Sequence, residues 1–231
     1  MSKIYAVILL ILTPTLAMSQ GLVFNSGNSI NKSTGLVEID PAVLNESHTG
    51  SPYITEELSD ITLSKIEGKT FKARYNAAHD VMEVVGEDGK HYNLVRDPEL
   101  EVTFIRSGQN YRVFNLGNES NDNGFFVVLN DGDIKLLKKE IIKFYDEEFS
   151  TTGYDKAKPA KFKREKDEFY FMKDGVLSTE IPRNKKSFIS LLNIDSNKEN
   201  KILSYIKKNR LKLNDEQDLI TLFTYININK F

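Results

Sequence analysis

The chain has 231 residues, a formal net charge of −2 and no cysteine or tryptophan. A chain without cysteine has no disulfide, no zinc–thiolate site, no iron–sulfur cluster and no thiol nucleophile. The nearly balanced charge gives no general attraction to polyanions, so nucleic acid is not an expected partner.

The first 19 residues have the pattern of a secretory signal peptide. Lys3 precedes an apolar run over residues 4–12, and the small residues Ala17 and Ser19 follow it. A helix that spans a bilayer needs roughly 20 apolar residues, and this run is shorter. The sequence therefore predicts cleavage after Ser19 and export to the periplasm or the exterior. The mature chain is expected to be soluble, with no transmembrane segment and no lipid anchor on a cysteine.

Residues 20–57 are rich in Asn, Ser, Gly and Thr and have no sustained period of 2 or 3.6 residues. Such a composition is typical of loops, so this segment is predicted to be a poorly ordered lead-in.

Residues 58–182 have the pattern of an antiparallel β body. Short segments rich in β-branched and aromatic residues alternate with turn signals, among them Asp88-Gly89, Asn130–Asp133 and Asp174-Gly175. The strand candidates are residues 71–76, 81–85, 91–95, 102–105, 111–114, 125–129, 169–172 and 176–181. This spacing predicts an antiparallel sheet or a partly closed barrel.

Two segments of this body have a less regular pattern. Residues 134–145 fit either a helix, by the spacing of Ile134, Leu137 and Ile141, or two strands, and the preceding hairpin turn favours strands. Residues 146–166 are polar and contain a proline, which predicts a loop.

The period becomes helical after Pro182 and predicts three short amphipathic helices within residues 183–231. Ser196 with Glu199, and Asn214 with Gln217, have the spacing of capping boxes at two of the helix starts. The predicted fold class is therefore α+β, with an antiparallel β-sheet or partly closed barrel followed by a small C-terminal helical module packed on it.

Several short motifs are similar to those of a broad group of uncharacterised exported proteins of Gram-negative bacteria. They are Gly50-Ser51-Pro52-Tyr53, Arg74-Tyr75-Asn76-Ala77, Leu136-Leu137-Lys138-Lys139, Lys158-Pro159-Ala160-Lys161-Phe162, Ile206-Lys207-Lys208-Asn209 and Asp218-Leu219-Ile220. The resemblance spans most of the mature chain and implies a signal peptide, a β-rich body and a helical end. It implies no catalytic residue.

Arg74, Tyr75 and Asn76 form the most specific local cluster of polar side chains. On a strand, Arg74 and Asn76 share one face and Tyr75 points to the other. This arrangement fits a core tyrosine with a surface Arg–Asn pair, and it also fits a polar binding patch on an open sheet face. The three residues are candidate binding residues.

Lys161, Lys163 and Arg164 belong to the densest basic stretch of the chain and are also candidate binding residues. Such a stretch attracts an anionic partner, for example a lipid headgroup or a polysaccharide. Acidic neighbours weaken its field, and a solvated loop is the simpler interpretation.

Other motifs give little support to catalysis or metal binding. The three histidines, His48, His79 and His91, are predicted to lie in the lead-in or at exposed turns. Residues 119–124 resemble half of a calcium loop, but Asn130 stands where an EF-hand has its bidentate Glu. The chain has no Gly-x-Ser-x-Gly motif and no Gly-rich phosphate loop, so no catalytic residue, metal or cofactor is assigned.

These patterns favour an exported, non-enzymatic binding or envelope-associated protein whose partner is a protein, glycan or lipid of the cell envelope. Two alternatives stay open. A periplasmic carrier of an apolar small molecule predicts an enclosed cavity lined by Phe and Val inside a curved sheet. A hydrolase without a recognisable motif predicts a cleft in which a His or Glu has a perturbed proton affinity.

Overall fold

A computed structural model describes residues 36–38, 48–116, 123–148 and 158–231. Their strands are β1 (Leu36–Glu38), β2 (Ser59–Leu63), β3 (Ile66–Asn76), β4 (Val81–Val85), β5 (His91–Leu94), β6 (Glu101–Phe104), β7 (Asn110–Asn115), β8 (Asn123–Asn130), β9 (Lys135–Lys139), β10 (Ile142–Tyr145), β11 (Lys161–Arg164), β12 (Glu168–Lys173) and β13 (Val176–Leu177). The helices α1 (Lys185–Leu192), α2 (Ser196–Lys208) and α3 (Glu216–Ile228) follow. This order confirms the predicted α+β class. The predicted signal peptide lies outside the described residues.

Eleven of these strands form one antiparallel sheet in the order β1-β5-β4-β3-β2-β6-β7-β8-β9-β12-β13. β1 and β13 lie at its two edges, so the sheet does not close on itself. The remaining strands, β10 and β11, pair with each other and form a two-stranded ribbon outside this sheet.

The sheet is nevertheless strongly curled around its larger core. β3 and β8 lie four positions apart, which corresponds to roughly 19 Å in a flat sheet. The rings of Tyr75 on β3 and Phe125 on β8 are only 6.1 Å apart, and those of Tyr75 and Tyr111 are 5.1 Å apart. Because side chains from distant strands meet in this way, one face of the sheet becomes an interior filled with aromatic and β-branched residues.

The predicted turns between strands are confirmed. Gly89 adopts φ +77° between β4 and β5. The two residues between β12 and β13, Asp174 and Gly175, have φ values of +52° and +78°. Two successive residues with positive φ form the kind of tight turn that matches the twist of a hairpin, and Asp and Gly tolerate this conformation best.

Residues 134–145, for which the preceding turn favours strands over a helix, form strands. Part of the predicted loop over residues 146–166 forms a strand instead. Lys161–Arg164 is the strand β11, in register with β10. Phe162 pairs directly with Phe144, and their rings are 4.9 Å apart. The loop prediction is wrong here because three of the four residues of β11 are cationic. Their polarity obscures the strand pattern, although the single aromatic residue, Phe162, anchors the strand.

The helical module packs against the C-terminal part of the sheet and forms a second core. Phe171 of β12 contacts the ring of Phe223 at 5.8 Å, and Phe223 lies 6.0 Å from Phe188 of α1. Leu136 of β9 lies in the same core. The helices therefore depend on tertiary burial of their apolar faces, as expected for segments of 8 to 13 residues.

Both predicted capping boxes are wrong by one residue. The N-cap of α2 is Asp195, which accepts hydrogen bonds from the backbone N–H groups of Asn197 and Lys198. The N-cap of α3 is Asp215, which accepts from the N–H of Asp218. An ionised aspartate at this position also interacts favourably with the helix dipole, which explains its use over the neighbouring Ser196 or Asn214.

Asn227 connects α3 to the turn between β8 and β9. Its side chain accepts from the N–H of Ile134 at 2.8 Å and donates to the carbonyl of Ile134 at 2.9 Å. A Cβ on Gly132 would lie 2.4 Å from the Asn227 amide, so only glycine permits this approach. The hairpin turn and the helical module are thus joined by a specific polar contact.

Two described parts of the predicted lead-in have defined contacts. β1 pairs with β5, and residues 48–57 form a strap that crosses the ends of β3 and β11. Phe162 donates its N–H to the carbonyl of Thr49 at 2.8 Å, and Ile54 donates to the carbonyl of Tyr75 at 3.1 Å. The low periodicity of the strap is explained by the fact that its hydrogen bonds go to neighbouring elements rather than to a regular ladder.

Candidate functional site

The three polar candidates of β3 separate into different environments. Tyr75 points into the interior and is 3% exposed, as its predicted core position requires. Asn76 is also buried, and its side chain accepts from the N–H of His79 in the turn that follows. The interpretation of Arg74 and Asn76 as an exposed surface pair is therefore wrong, because both are covered by neighbouring segments.

Arg74 belongs to a compact charged group that we call the Glu83 cluster, made of Glu83, Arg74, His91 and Tyr53. Glu83 lies directly opposite Arg74 in the ladder, and its carboxylate accepts from the Arg74 guanidinium at 2.9 Å. The same carboxylate contacts His91 Nδ1 at 2.5 Å and accepts from the Tyr53 hydroxyl at 2.6 Å. The Glu83 side chain is only 5% exposed, so three polar partners replace its water.

The strap holds this cluster in place from outside the sheet. The Tyr53 ring lies 3.7 Å from the Arg74 guanidinium, which is a cation–π contact. Arg74 also donates to the carbonyl of Glu56 at 3.0 Å. Its Nε–H group is buried and has no hydrogen-bond partner among the described residues. An unpaired buried donor costs stability.

The partners of Glu83 determine its ionisation. Burial by itself raises the pKa of the Glu83 carboxyl, but hydrogen bonds from Tyr53, Arg74 and His91 outweigh it and hold the pKa below its ordinary value. Burial and the hydrogen bond to Glu83 raise the pKa of Tyr53 to about 12. Glu83 is therefore an anion and Tyr53 a neutral donor at neutral pH.

An open cleft with a volume of about 360 Å³, which we call the Arg74 cleft, lies beside this cluster. It is lined by Ile54, Thr55, Glu57, Ser59, Arg74, Tyr75, Phe104, Arg106, Ser107, Gln109 and Tyr111. The rings of Phe104 and Tyr111 are 5.4 Å apart and form an aromatic floor with Tyr75. Hydroxyl, amide and guanidinium groups and the Glu57 carboxylate surround that floor. Arg106 has no ion pair with a described residue.

The two tyrosines of this floor are anchored at their far ends. The Tyr75 hydroxyl donates to Asp80 at 2.6 Å, and the Tyr111 hydroxyl donates to Glu140 at 2.5 Å. Burial and the neighbouring carboxylates raise the pKa of both phenols, so neither ionises at neutral pH. The floor of the cleft is thus rigid and uncharged.

Asp80 is the centre of a second polar group, the Asp80 network, which joins the β3–β4 turn to β8 and β9. Its carboxylate accepts from Lys139 Nζ at 2.5 Å and from the N–H of Phe125 at 3.1 Å, in addition to Tyr75. Arg96 lies 3.5 Å from the same carboxylate. Asp80 has a φ of +54°, which aspartate tolerates better than most residues. These contacts position Tyr75 and therefore the cleft floor.

The basic candidates lie elsewhere, on β11, rather than in the predicted loop. Lys161 and Lys163 are exposed, and Lys163 forms an ion pair with Glu165 at 2.9 Å. Arg164 pairs with Asp167 and lies 3.5 Å from Glu140. None of the three lines the Arg74 cleft.

Tyr53, Glu83 and the role of His91 were not predicted from the sequence. A signal existed for Glu83, because a single carboxylate interrupts the apolar run Val81-Met82-Glu83-Val84-Val85. His91 is the first residue of β5 rather than part of a turn, and its side chain, which is 43% exposed, bonds to Glu83. Tyr53 had no signal, since its partners lie 21 and 30 positions further along the chain.

Among the described residues, the other candidates from the sequence do not form a catalytic or metal site. Within the described ranges, no group of three or more His, Asp or Glu side chains is arranged to hold a metal ion. Most of the segment that resembles half of a calcium loop, namely residues 119–122, lies outside those ranges. Glu83 has the perturbed pKa that a hydrolase predicts, but neither Glu83 nor His91 lines the Arg74 cleft.

No protein-family model, curated protein or solved structure matches the chain. The resemblance to exported proteins of Gram-negative bacteria stays a prediction. Each described helix is too short or too polar to cross a bilayer.

Proposed function

We propose that the protein is an exported, non-enzymatic binding module of the cell envelope that takes a ring-sized polar group of a partner glycan into the Arg74 cleft. The observation that carries the proposal is an open cleft with a rigid aromatic floor beside an arginine fixed by Glu83 and Tyr53. Pre-organised sites of this kind lower the entropy cost of binding.

The chemistry of the cleft wall favours a polyhydroxylated ligand. Ser59, Thr55 and Gln109 supply donors and acceptors, and Phe104 supplies an apolar ring surface. Sugar rings have hydroxyl groups at their edges and C–H groups on their faces, which match these two kinds of surface. The volume of about 360 Å³ is at the lower end of the usual range for small-molecule sites, so it suits one ring rather than a long chain.

A carrier of an apolar molecule has less support. It requires an empty interior lined by Phe and Val, and the interior of the curled sheet is filled by buried side chains such as Tyr75, Met82 and Phe125. Their exposures of 0% to 3% show close packing.

The export part of the proposal is tested in the native host. We expect the C-terminally tagged protein in the periplasmic or extracellular fraction, with an N-terminus at Gln20 when its mass is measured. Small residues before the cleavage point are what signal peptidases recognise. Recovery from the cytoplasm with residues 1–19 attached would contradict export.

The binding part is tested by capturing partners of the tagged protein from native envelope extract and identifying bound glycans by mass spectrometry. We expect Arg106→Gln combined with Gln109→Ala to lower the retained glycan by about tenfold, equivalent to about 1.4 kcal/mol. Both side chains line the cleft without joining the Glu83 cluster, so folding should be preserved.

Lys208→Gln combined with Gln217→Ala is the matched control, since both side chains are exposed on the helical module. It should retain as much glycan as the unchanged protein. Equal retention by the cleft variant and the unchanged protein would exclude the Arg74 cleft as the binding site.

A further inference from the structure

A larger cleft lies where the sheet, the ribbon and the helical module meet. This junction cleft has a volume of about 650 Å³. Its apolar base includes Phe169, Ile181 and Leu213, and its walls come from β10, β11, the start of β12 and the connection between α2 and α3. It shares no lining residue with the Arg74 cleft. Ligand sites are frequent at such junctions between packed units.

Most carboxylates on the walls are already matched. Glu165 pairs with Lys163 at 2.9 Å, and Glu216 pairs with Lys138 at 3.0 Å. Asp167 pairs with Arg164, and Glu168 accepts from the Tyr170 hydroxyl at 2.7 Å. Glu165, Glu216 and Asp167 are therefore matched by cations, whereas the hydroxyl partner of Glu168 does not compensate its charge.

Three cationic side chains on the same walls have no ion-pair partner among the described residues. Lys143, Lys166 and Arg183 line the cleft and have no ion pair or side-chain hydrogen bond with a described residue. Glu168 and Glu180 line the cleft without a cationic partner, so the three unpaired cations exceed the unmatched acids by one charge. Lys143 also lies directly opposite Lys163 in the ribbon, and Glu165, which pairs with Lys163, reduces the cost of this like-charge pair.

The three cations come from separate parts of the fold. Lys143 lies on β10, Lys166 in the turn between β11 and β12, and Arg183 in the segment before α1. A single exposed helix or loop face often has several unpaired lysines by chance. Convergence from three elements on one concave site is less easily explained as solvated surface charge, and arginine adds a planar fork suited to oxyanions.

We propose that the junction cleft binds a multiply charged anionic group, of the phosphate-ester or polycarboxylate class, between Lys143, Lys166 and Arg183. The three cations can together contact a group that carries two or more oxyanions, and the apolar base accommodates the carbon skeleton that carries them. This site is independent of the Arg74 cleft and of the function proposed for that cleft.

The test is an NMR titration of the ¹⁵N-labelled full chain with pyrophosphate and, separately, with citrate. Ionic strength is kept constant with sodium chloride, because non-specific screening would otherwise shift every surface amide. We expect saturable shifts of amides around the junction cleft with at least one probe. The probe that binds more tightly decides between the phosphate and the carboxylate class.

Lys143→Gln, Lys166→Gln and Arg183→Gln in one chain should raise the dissociation constant by about tenfold or more. The matched control changes Lys201, Lys207 and Lys208 of α2 to Gln, which removes the same charge from exposed positions outside the cleft. It should leave the dissociation constant within about twofold. Linear, unsaturated shifts with both probes, or an equal loss in the two triple variants, would overturn the proposal. Circular dichroism verifies that both variants are folded.

Discussion

Glu83→Gln is expected to destabilise the fold by about 2–3 kcal/mol at neutral pH. The substitution keeps the shape of the side chain but removes the charge that compensates the Arg74 guanidinium, which is 20% exposed and cannot regain full hydration. An amide also cannot accept from Arg74, His91 and Tyr53 at once with both of its polar atoms, since its nitrogen is a donor. Urea unfolding of the purified protein measures the loss.

The pH dependence of this effect has a definite sign. The folded-state pKa of Glu83 lies below its ordinary value of 4.5, so the carboxylate contributes stability that is present above pH 4.5. That contribution is lost as pH falls through the folded-state pKa. The difference in unfolding free energy between the unchanged protein and Glu83→Gln should therefore narrow below pH 4.5.

Glu87→Gln is the matched control for Glu83→Gln. Glu87 lies in the next turn, its side chain is 67% exposed, and its ion pair with Lys69 is on the surface. Exposed pairs contribute little to stability, so no measurable loss is expected. An equal loss of unfolding free energy in Glu83→Gln and Glu87→Gln would contradict a stabilising role of the Glu83 cluster.

Asp80→Asn is expected to destabilise the fold by about 2–4 kcal/mol. Asparagine accepts a positive φ as readily as aspartate, so backbone strain at φ +54° does not account for the expected loss of stability. The reason is Lys139, which is 11% exposed and would lose its carboxylate partner. Burial already lowers the pKa of the Lys139 ammonium group, which shows that its charge is poorly hydrated.

A double-mutant cycle with Lys139→Met separates the ion pair from the rest of the Asp80 network. We expect Asp80→Asn combined with Lys139→Met to be more stable than the sum of the single losses predicts, by about 1.5 kcal/mol or more. Methionine keeps most of the apolar stem of lysine and leaves no buried charge. The exposed pair Lys158 with Glu148 serves as the control cycle and should have no measurable coupling. Additive losses at Asp80 and Lys139 would contradict a coupled pair.

The candidate site could be predicted from sequence only in part. Arg74 and Tyr75 are candidate binding residues by sequence, and both line the cleft. Alternation along the strand assigns them to opposite faces, so their meeting at one cleft does not follow from the sequence. Tyr53, Glu83, His91 and Phe104 were not joined to them. Their contacts with β3 depend on register between strands and on the course of the strap, and neither has a local sequence signal.

The sequence by itself determined the α+β class, the hairpin turns and the existence of three C-terminal helices. These follow from local chemistry, namely residue alternation, turn residues that accept positive φ and the helical period after Pro182. Only the tertiary structure decided the curl of the sheet, the pairing of β11 with β10 and the convergence of Lys143, Lys166 and Arg183 on one cleft. Those features join residues far apart in the chain, so the energy of packing and charge pairing between elements selects them rather than any local preference.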